Sequence, residues 1–256
     1  MGKGDRLNKS QCSRNEIERQ SMVNKPYASL VGSLMYAQVC TRPDLAFSIS
    51  VLGRYQSNPG EQHWVAAKKV LRYLQRTKSF MLVYKKVENL ELVGYTDADF
   101  AGCVDDRRST SGYLFFLAGA AVSWKSAQQK ALATSTMEAE FIACFEATKR
   151  GLWLRNLISC MAIVDSISRP LTIYCDNKAA VFFSKNNKKS EATRLMDIKY
   201  LSVKEHVRKG EITIEHIETN SMIADPLTKA LAVGVFKDHV SKMGVLESLE
   251  SAEVWE

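Results

Sequence analysis

A layered α/β domain preceded by a small all-helical segment is the fold this sequence predicts, and three observations carry the prediction. Up to Arg76 the apolar residues recur at helical spacing. Beyond Lys85-Lys86 the period shortens to that of strands. The strand-like runs then alternate with amphipathic stretches, the pattern of a sheet with helices laid on it. A chain of 256 residues with 46% hydrophobic content has ample material for a packed core.

Taken in order, residues 1–25 are polar and lack sustained periodicity, so they are expected to form an extended or frayed arm. Pro26 and Pro43 stand where helices can begin, and Asn58-Pro59-Gly60 is a strong break. Together they predict helices near 27–39, 43–56 and 61–77 within a helical segment spanning 26–87. In the third helix Trp64, Ala67, Val70, Leu71 and Leu74 form an apolar arc, while Lys68, Lys69, Arg72 and Arg76 gather on the other side. Like charges at i and i+4 weaken a free helix by ~0.2–0.5 kcal/mol per pair. The stripe is therefore either a solvated face or a track for phosphates.

Residues 88–243 form the second unit. It opens with a strand at about 91–98, then the polar DDRRSTSG at 105–112, then a hairpin made by YLFFLAG and AAVSWKS at 113–126. Ser135 or Thr136 can cap a long helix running from about 137 toward 159. Leu171–Cys175 is a short β-rich run, residues 177–185 a short helix, NKKSEATR at 187–194 a charged loop, and residues 197–209 an amphipathic helix stopped by Gly210. Ile212, Ile214 and His216 share one face of a final strand. Asp225 before Pro226 reads as the N-cap of a last helix, and residues 244–256 as an acidic tail.

Charge is divided unevenly along this order. Residues 1–86 carry 15 Lys+Arg against 5 Asp+Glu, net +10, whereas residues 87–256 carry 20 against 23, net −3. A basic module joined to an acid-bearing one suits a polyanion gripped by the first and processed by the second. The six cysteines form no CxxC pair and the four histidines no HExxH, so no zinc ligand set or disulfide ladder is legible. Neither a signal peptide nor a membrane span is expected; the longest apolar stretch, YLFFLAGAAVSW, is short and broken by Gly119.

The chemistry-bearing residues are acids at the ends of elements. In YTDADFAG at 95–102 the first strand ends in Asp97 and Asp99, and neighbouring carboxylates either sit at a wet edge or hold a cation. Three acids on other segments can converge with Asp97: Glu138 in STMEAEF, Asp176 in LTIYCDN, and Asp225 in MIADPLTKAL. On the long helix Phe141, Cys144, Phe145, Thr148 and Leu152 define the packing face. Glu138 falls at its edge and Glu140 about 120° from its centre, which selects Glu138. Four such carboxylates would repel one another without cations. Two Mg²⁺ ions ~3.5–4 Å apart would neutralise them, activate a water and stabilise the leaving oxygen of a phosphodiester. Capping alone would also explain Asp225.

YTDADFAG, DDRRSTSGY, AVSW, STMEAEF, YCDN, IKY and IADPLTK resemble, in order, the motifs of the ribonuclease H domain of copia-type long-terminal-repeat retrotransposon Pol polyproteins. YASLVGSLMYAQVCTRPDLAFSISVLGRYQSNPGEQHW resembles the helical thumb and connection segment that precedes that domain. The resemblance runs from about residue 26 to 243. It implies a ribonuclease H-like mixed five-stranded sheet flanked by helices. It also implies hydrolysis of the RNA strand of RNA/DNA hybrids by two Mg²⁺ ions, for which Mn²⁺ can substitute. Asp97, Glu138, Asp176 and Asp225 would be the catalytic and metal-binding residues. For a hybrid substrate the helix-face charge of Lys68, Lys69, Arg72 and Arg76 offers the phosphate track. Implied partners are the hybrid and other parts of the reverse transcriptase polyprotein, in an intracellular setting such as a cytoplasmic particle or the nucleus. The chain departs from the pattern at Leu195-Met196-Asp197, where relatives carry a histidine in place of Met196, and at Asn220, near where cellular ribonucleases H carry a mobile histidine. CVDD at 103–106 reads as a turn, and no polymerase active site is legible. The competing reading is an inactive relic that only binds nucleic acid or protein partners.

Overall fold

The computed structural model describes residues 2, 4–88, 90–161, 167, 169–186 and 198–248. The loop expected at 187–194 and the Met196 departure lie outside these residues. Four helices come first: α1 (Glu16–Val23), α2 (Tyr27–Thr41), α3 (Ala46–Gly53) and α4 (Glu61–Arg76). The last three share a core built from Tyr27, Val31, Leu34, Leu45, Ile49, Leu52, Ala67 and Val70. Pro43 opens a 3₁₀ turn, Pro43–Leu45, ahead of α3. That turn carries a buried polar knot. The Arg42 guanidinium donates to both Asp44 oxygens, at 2.9 and 2.7 Å, and to the Thr77 hydroxyl at 2.7 Å, while the Tyr73 hydroxyl donates to Asp44 at 2.8 Å. Removing one partner of such a fully satisfied buried pair costs about 3–5 kcal/mol, so the knot pins the end of α2 to the end of α4.

The arm expected to be extended is folded. Asn15 caps α1 by accepting from the Glu18 amide, and the Glu18 carboxylate accepts from the Arg14 amide, a capping box displaced by one residue. The arm also packs along α4: the Ser13 hydroxyl donates to the Pro59 carbonyl just ahead of the helix, and Lys69 in its middle pairs with Asp5 at 2.6 Å.

The sheet follows. Its strands and helices are β1 (Met81–Leu82), β2 (Val93–Asp99), β3 (Thr110–Leu117), β4 (Ala120–Gln128), α5 (Thr136–Met161), β5 (Leu171–Cys175), α6 (Lys178–Lys185), α7 (Ile198–Arg208), β6 (Ile212–His216), α8 (Val233–Lys242) and β7 (Val245–Leu246). The main sheet is mixed and five-stranded, in the order β4-β3-β2-β5-β6. β2, β3 and β4 pair antiparallel in succession, and β5 and β6 run parallel to β2 and to each other. Ala118 and Gly119 turn the β3–β4 hairpin with φ of 54° and 76°, the left-handed pair that a two-residue hairpin requires.

Alternation along β3 sends Phe115 into one face and Leu114 into the other. The Phe115 face is covered by α5, α6 and α7. The Leu114 face meets Ala46 of α3 together with Met222, Leu227 and Val240, so the helical segment and the sheet share a core. The Trp124 indole N–H reinforces that contact by donating to the Gln38 carbonyl at 3.2 Å. Two boundaries differ from expectation. Val245 and Leu246 pair with Leu82 and Met81, so residues 244–248 belong to the fold, and residues 249–256 lie outside the described ones. Asp225 does not cap the last helix: it sits in a separate 3₁₀ turn, Asp225–Leu227, and α8 begins only at Val233.

Candidate metal centre

Parallel pairing of β2 with β5 sets the first two acids side by side. Thr96 lies opposite Cys175, so the next residues, Asp97 and Asp176, emerge together at the carboxyl ends of adjacent strands. Asp97 is 1% exposed. Its carboxylate accepts from the Thr228 hydroxyl, which fixes its orientation.

Asp225 arrives through a close approach rather than through a helix cap. Asp97 faces Gly112 across the β2–β3 ladder. A side-chain carbon on Gly112 would lie 2.8 Å from Leu227 Cβ and 2.8 Å from Thr228 Cγ2. The missing side chain lets the Asp225–Leu227 turn press onto the sheet beside Asp97. Carboxylate oxygens of Asp97, Asp176 and Asp225 then all lie within 4.8 Å of one another.

The fourth acid is Glu140, not Glu138. Glu140 is 6% exposed, and its carboxylate lies 3.8 Å from Cys175 Sγ and within 4.8 Å of Asp176. Glu138 turns back to cap its own helix, accepting from the Thr134 amide at 2.8 Å and the Thr134 hydroxyl at 2.6 Å, while its amide donates to Ser135. The reason lies in which face of α5 meets the sheet. Glu140, Cys144, Ala147, Gly151, Leu154 and Ile158 form the buried stripe. A side-chain carbon at Gly151 would strike Leu171 Cδ2 at 2.6 Å. Small residues let α5 lie close on the sheet, and the bulky Phe145 points aside to pack on Tyr200 of α7. A helical wheel weighted by bulk misplaces the face; the small-residue stripe in register with Glu140 is the signal in the sequence that marks it.

The electrostatics are those of crowded, buried carboxyl groups. Burial, the nearby Asp97, the Cys175 thiol and Asp176 push Glu140 well above the usual carboxylate range. Burial raises Asp97, with Lys229 and Thr228 opposing and Asp176 adding to the rise. Burial and Asp97 raise Asp225 to about 6, against the pull of Lys229. Asp99 is raised by burial and by Asp97, but it lies outside the convergent triplets. Lys229 Nζ sits 2.9 Å from Asp225 and 3.6 Å from Asp97. Burial would lower this ammonium, yet Asp97 and Asp225 together raise it. Clustered carboxylates that resist simultaneous ionisation are what a hard divalent cation relieves, so the oxygens of Asp97, Asp176 and Asp225, with Glu140 beside Asp176 and the Cys175 thiol, fit a divalent ion.

Lys68, Lys69, Arg72 and Arg76 are all exposed on α4, with Lys68 over the Trp64 ring and Lys69 engaged by Asp5. CVDD at 103–106 is a turn whose Asp105 accepts from the Lys9 amide and the Tyr55 hydroxyl, a structural role. No helix among the described residues is long and apolar enough to cross a membrane.

No protein-family model matches the chain. It is 40% identical over 232 residues, 91% of its length, to the retrovirus-related Pol polyprotein from transposon TNT 1-94 of Nicotiana tabacum, and spans 17% of that polyprotein. It is 51% identical over 133 residues to the secreted RxLR effector protein 161 of Plasmopara viticola, covering 52% of this chain and 94% of that protein. Among solved structures it is similar to LC11-RNase H1 in complex with an RNA/DNA hybrid, at 16% identity and a TM-score of 0.37, covering 54% of this chain and 94% of that one.

Proposed function

Since the chain belongs to the copia-type retrotransposon Pol family, as a segment with a ribonuclease H-like fold, we propose that it hydrolyses the RNA strand of RNA/DNA hybrids. The observation that carries this reading is the convergence of Asp97, Glu140, Asp176 and Asp225 from four separate segments onto one strand-end site. These four carboxylates would hold two Mg²⁺ ions, or Mn²⁺ in their place. When bound, such ions activate a water for attack on phosphorus and stabilise the leaving 3′-oxygen. The protein's own part is to fix the oxygens: β2 and β5 set Asp97 beside Asp176, Thr228 orients Asp97, and Gly112 admits the turn that carries Asp225. Recognition of the hybrid would rest on its shape and its phosphates rather than on its bases. The basic stripe of α4 would supply part of the charge, and the other parts of the polyprotein would be its protein partners.

The test is cleavage of a labelled RNA/DNA hybrid by the purified chain in Mg²⁺ or Mn²⁺, with duplex DNA and single-stranded RNA as comparison substrates and Asp97→Asn as control. Metal-dependent cleavage confined to the hybrid's RNA strand and lost in the control is the expected result. Binding of hybrid without cleavage in either metal would identify the chain as an inactive relic instead.

A further inference from the structure

Among the described residues, Lys229 is the cation that the fold inserts among the clustered carboxylates. Its Nζ spans Asp225 Oδ1 at 2.9 Å and Asp97 Oδ2 at 3.6 Å, and its side chain is 33% exposed at the rim. These are two of the three acids whose oxygens lie within 4.8 Å of one another. A divalent ion held by Asp97 and Asp225 would compete with this ammonium for the same carboxylates. On the other side of the centre, Glu140 and Asp176 form no ion pair with a cation among the described residues.

We infer that Lys229 is a built-in stand-in for one divalent ion, holding the Asp97–Asp225 side of the metal-free centre until an arriving ion displaces it. This rests on the two-ion reading above and adds an order of filling to it. No cationic side chain among the described residues has to leave the Glu140–Asp176 side, whereas the Asp97–Asp225 side fills only at the expense of an ion pair. The lysine suits the role because its charge is compact and its four-carbon stem is flexible, so the ammonium can swing outward from a one-third exposed position. Arginine, with a planar fork that grips a carboxylate through two donors, would hold on.

The experiment titrates Mn²⁺ into the intact chain at a fixed, mildly alkaline pH and follows free Mn²⁺ by electron paramagnetic resonance. Lys229→Met should tighten the weaker Mn²⁺ site by about tenfold or more, while Lys229→Arg should not. A Lys229→Met protein whose weaker site is unchanged or looser overturns the inference. A second measurement needs no variant: reductive methylation of lysines, read residue by residue by mass spectrometry with and without Mn²⁺. Saturating Mn²⁺ should speed modification of Lys229 several-fold relative to Lys125, which pairs with Glu146 away from the centre. An equal rate with and without Mn²⁺ overturns the inference. If no Mn²⁺ binds to the parent chain, or if binding survives Asp97→Asn, the metal reading itself fails, and that outcome is separate from the behaviour of Lys229.

Discussion

At the scale of single residues, Glu140→Gln and Glu138→Gln test two roles that stand two positions apart on α5. Glu140 faces Asp176 under the strand ends, so its amide should lose at least about 100-fold in hybrid cleavage. The helix cap made by Glu138 is worth about 0.5–2 kcal/mol, so its amide should lower the melting temperature and leave cleavage within a few-fold. If Glu138→Gln were the inactive one, the assignment would be reversed. Asp225 is raised from the ordinary carboxyl value to about 6, so between roughly pH 4 and 6 the folded, metal-free chain binds more protons than the unfolded one. Its contribution is therefore fully present at low pH and lost as pH rises through 6, on the order of 1–3 kcal/mol. Metal-free Asp225→Asn should gain stability relative to the parent as pH goes from 4 to 7; melting curves with the same pH dependence for both would disprove this. Asp97 and Asp176 are legible in the sequence because each ends a β-patterned run, which places an acid at a strand end whatever surrounds it. Glu140 is not, because residue bulk on α5 marks contacts to α6 and α7 as strongly as contacts to the sheet.

At the scale of elements, the Asp225–Leu227 turn depends on Gly112 of β3. Adding a methyl group there brings carbon atoms to 2.8 Å, inside any ordinary contact, so the turn must shift. Overpacking of this kind costs about 1–3 kcal/mol. Gly112→Ala should therefore lower stability and also weaken Mn²⁺ binding, because the displaced turn carries Asp225 and leads directly into Thr228, the hydroxyl donor to Asp97. A variant that melts lower yet binds Mn²⁺ like the parent would show the turn to be only a structural prop. That this turn reads in the sequence as the start of a helix has a physical reason. An acid followed by proline favours the first turn of either a 3₁₀ or an α-helix, and only the contact with β3, distant in sequence, decides how the chain continues. The folded N-terminal arm is hard to read for another reason: Asn15 and Glu18 do signal a short capping box, but only eight residues of helix follow it.

At the scale of the whole molecule, the division of charge suggests a grip and a cutter, but the packing does not let them be separated freely. Ala46 lies in one core with Leu114, Ala121 and Met222, and the Arg54 and Tyr55 side chains reach Thr110 and Asp105 across the same contact. Cutting near residue 88 would bare that surface, so the role of the basic stripe has to be tested in the intact chain. The four residues are not equivalent. Lys69 is held by Asp5 at 2.6 Å and its charge is already answered, whereas Lys68, Arg72 and Arg76 form no ion pair among those found in the described residues. Every phosphate that a protein neutralises releases counterions and adds roughly 0.7–0.9 to the steepness of log affinity against log salt. If the stripe tracks the phosphates of the hybrid, neutralising Lys68, Arg72 and Arg76 to Gln should flatten that slope by about 2–3 across unrelated hybrid sequences, and adding Lys69→Gln should change it little further. All four lie on the exposed side of α4, opposite His63, Ala66, Ala67 and Val70, so the fold should tolerate the changes and the melting temperature should hold. An unchanged salt slope in the triple variant, with the fold intact, would reduce the stripe to a solvated helix face and move the grip elsewhere on the molecule.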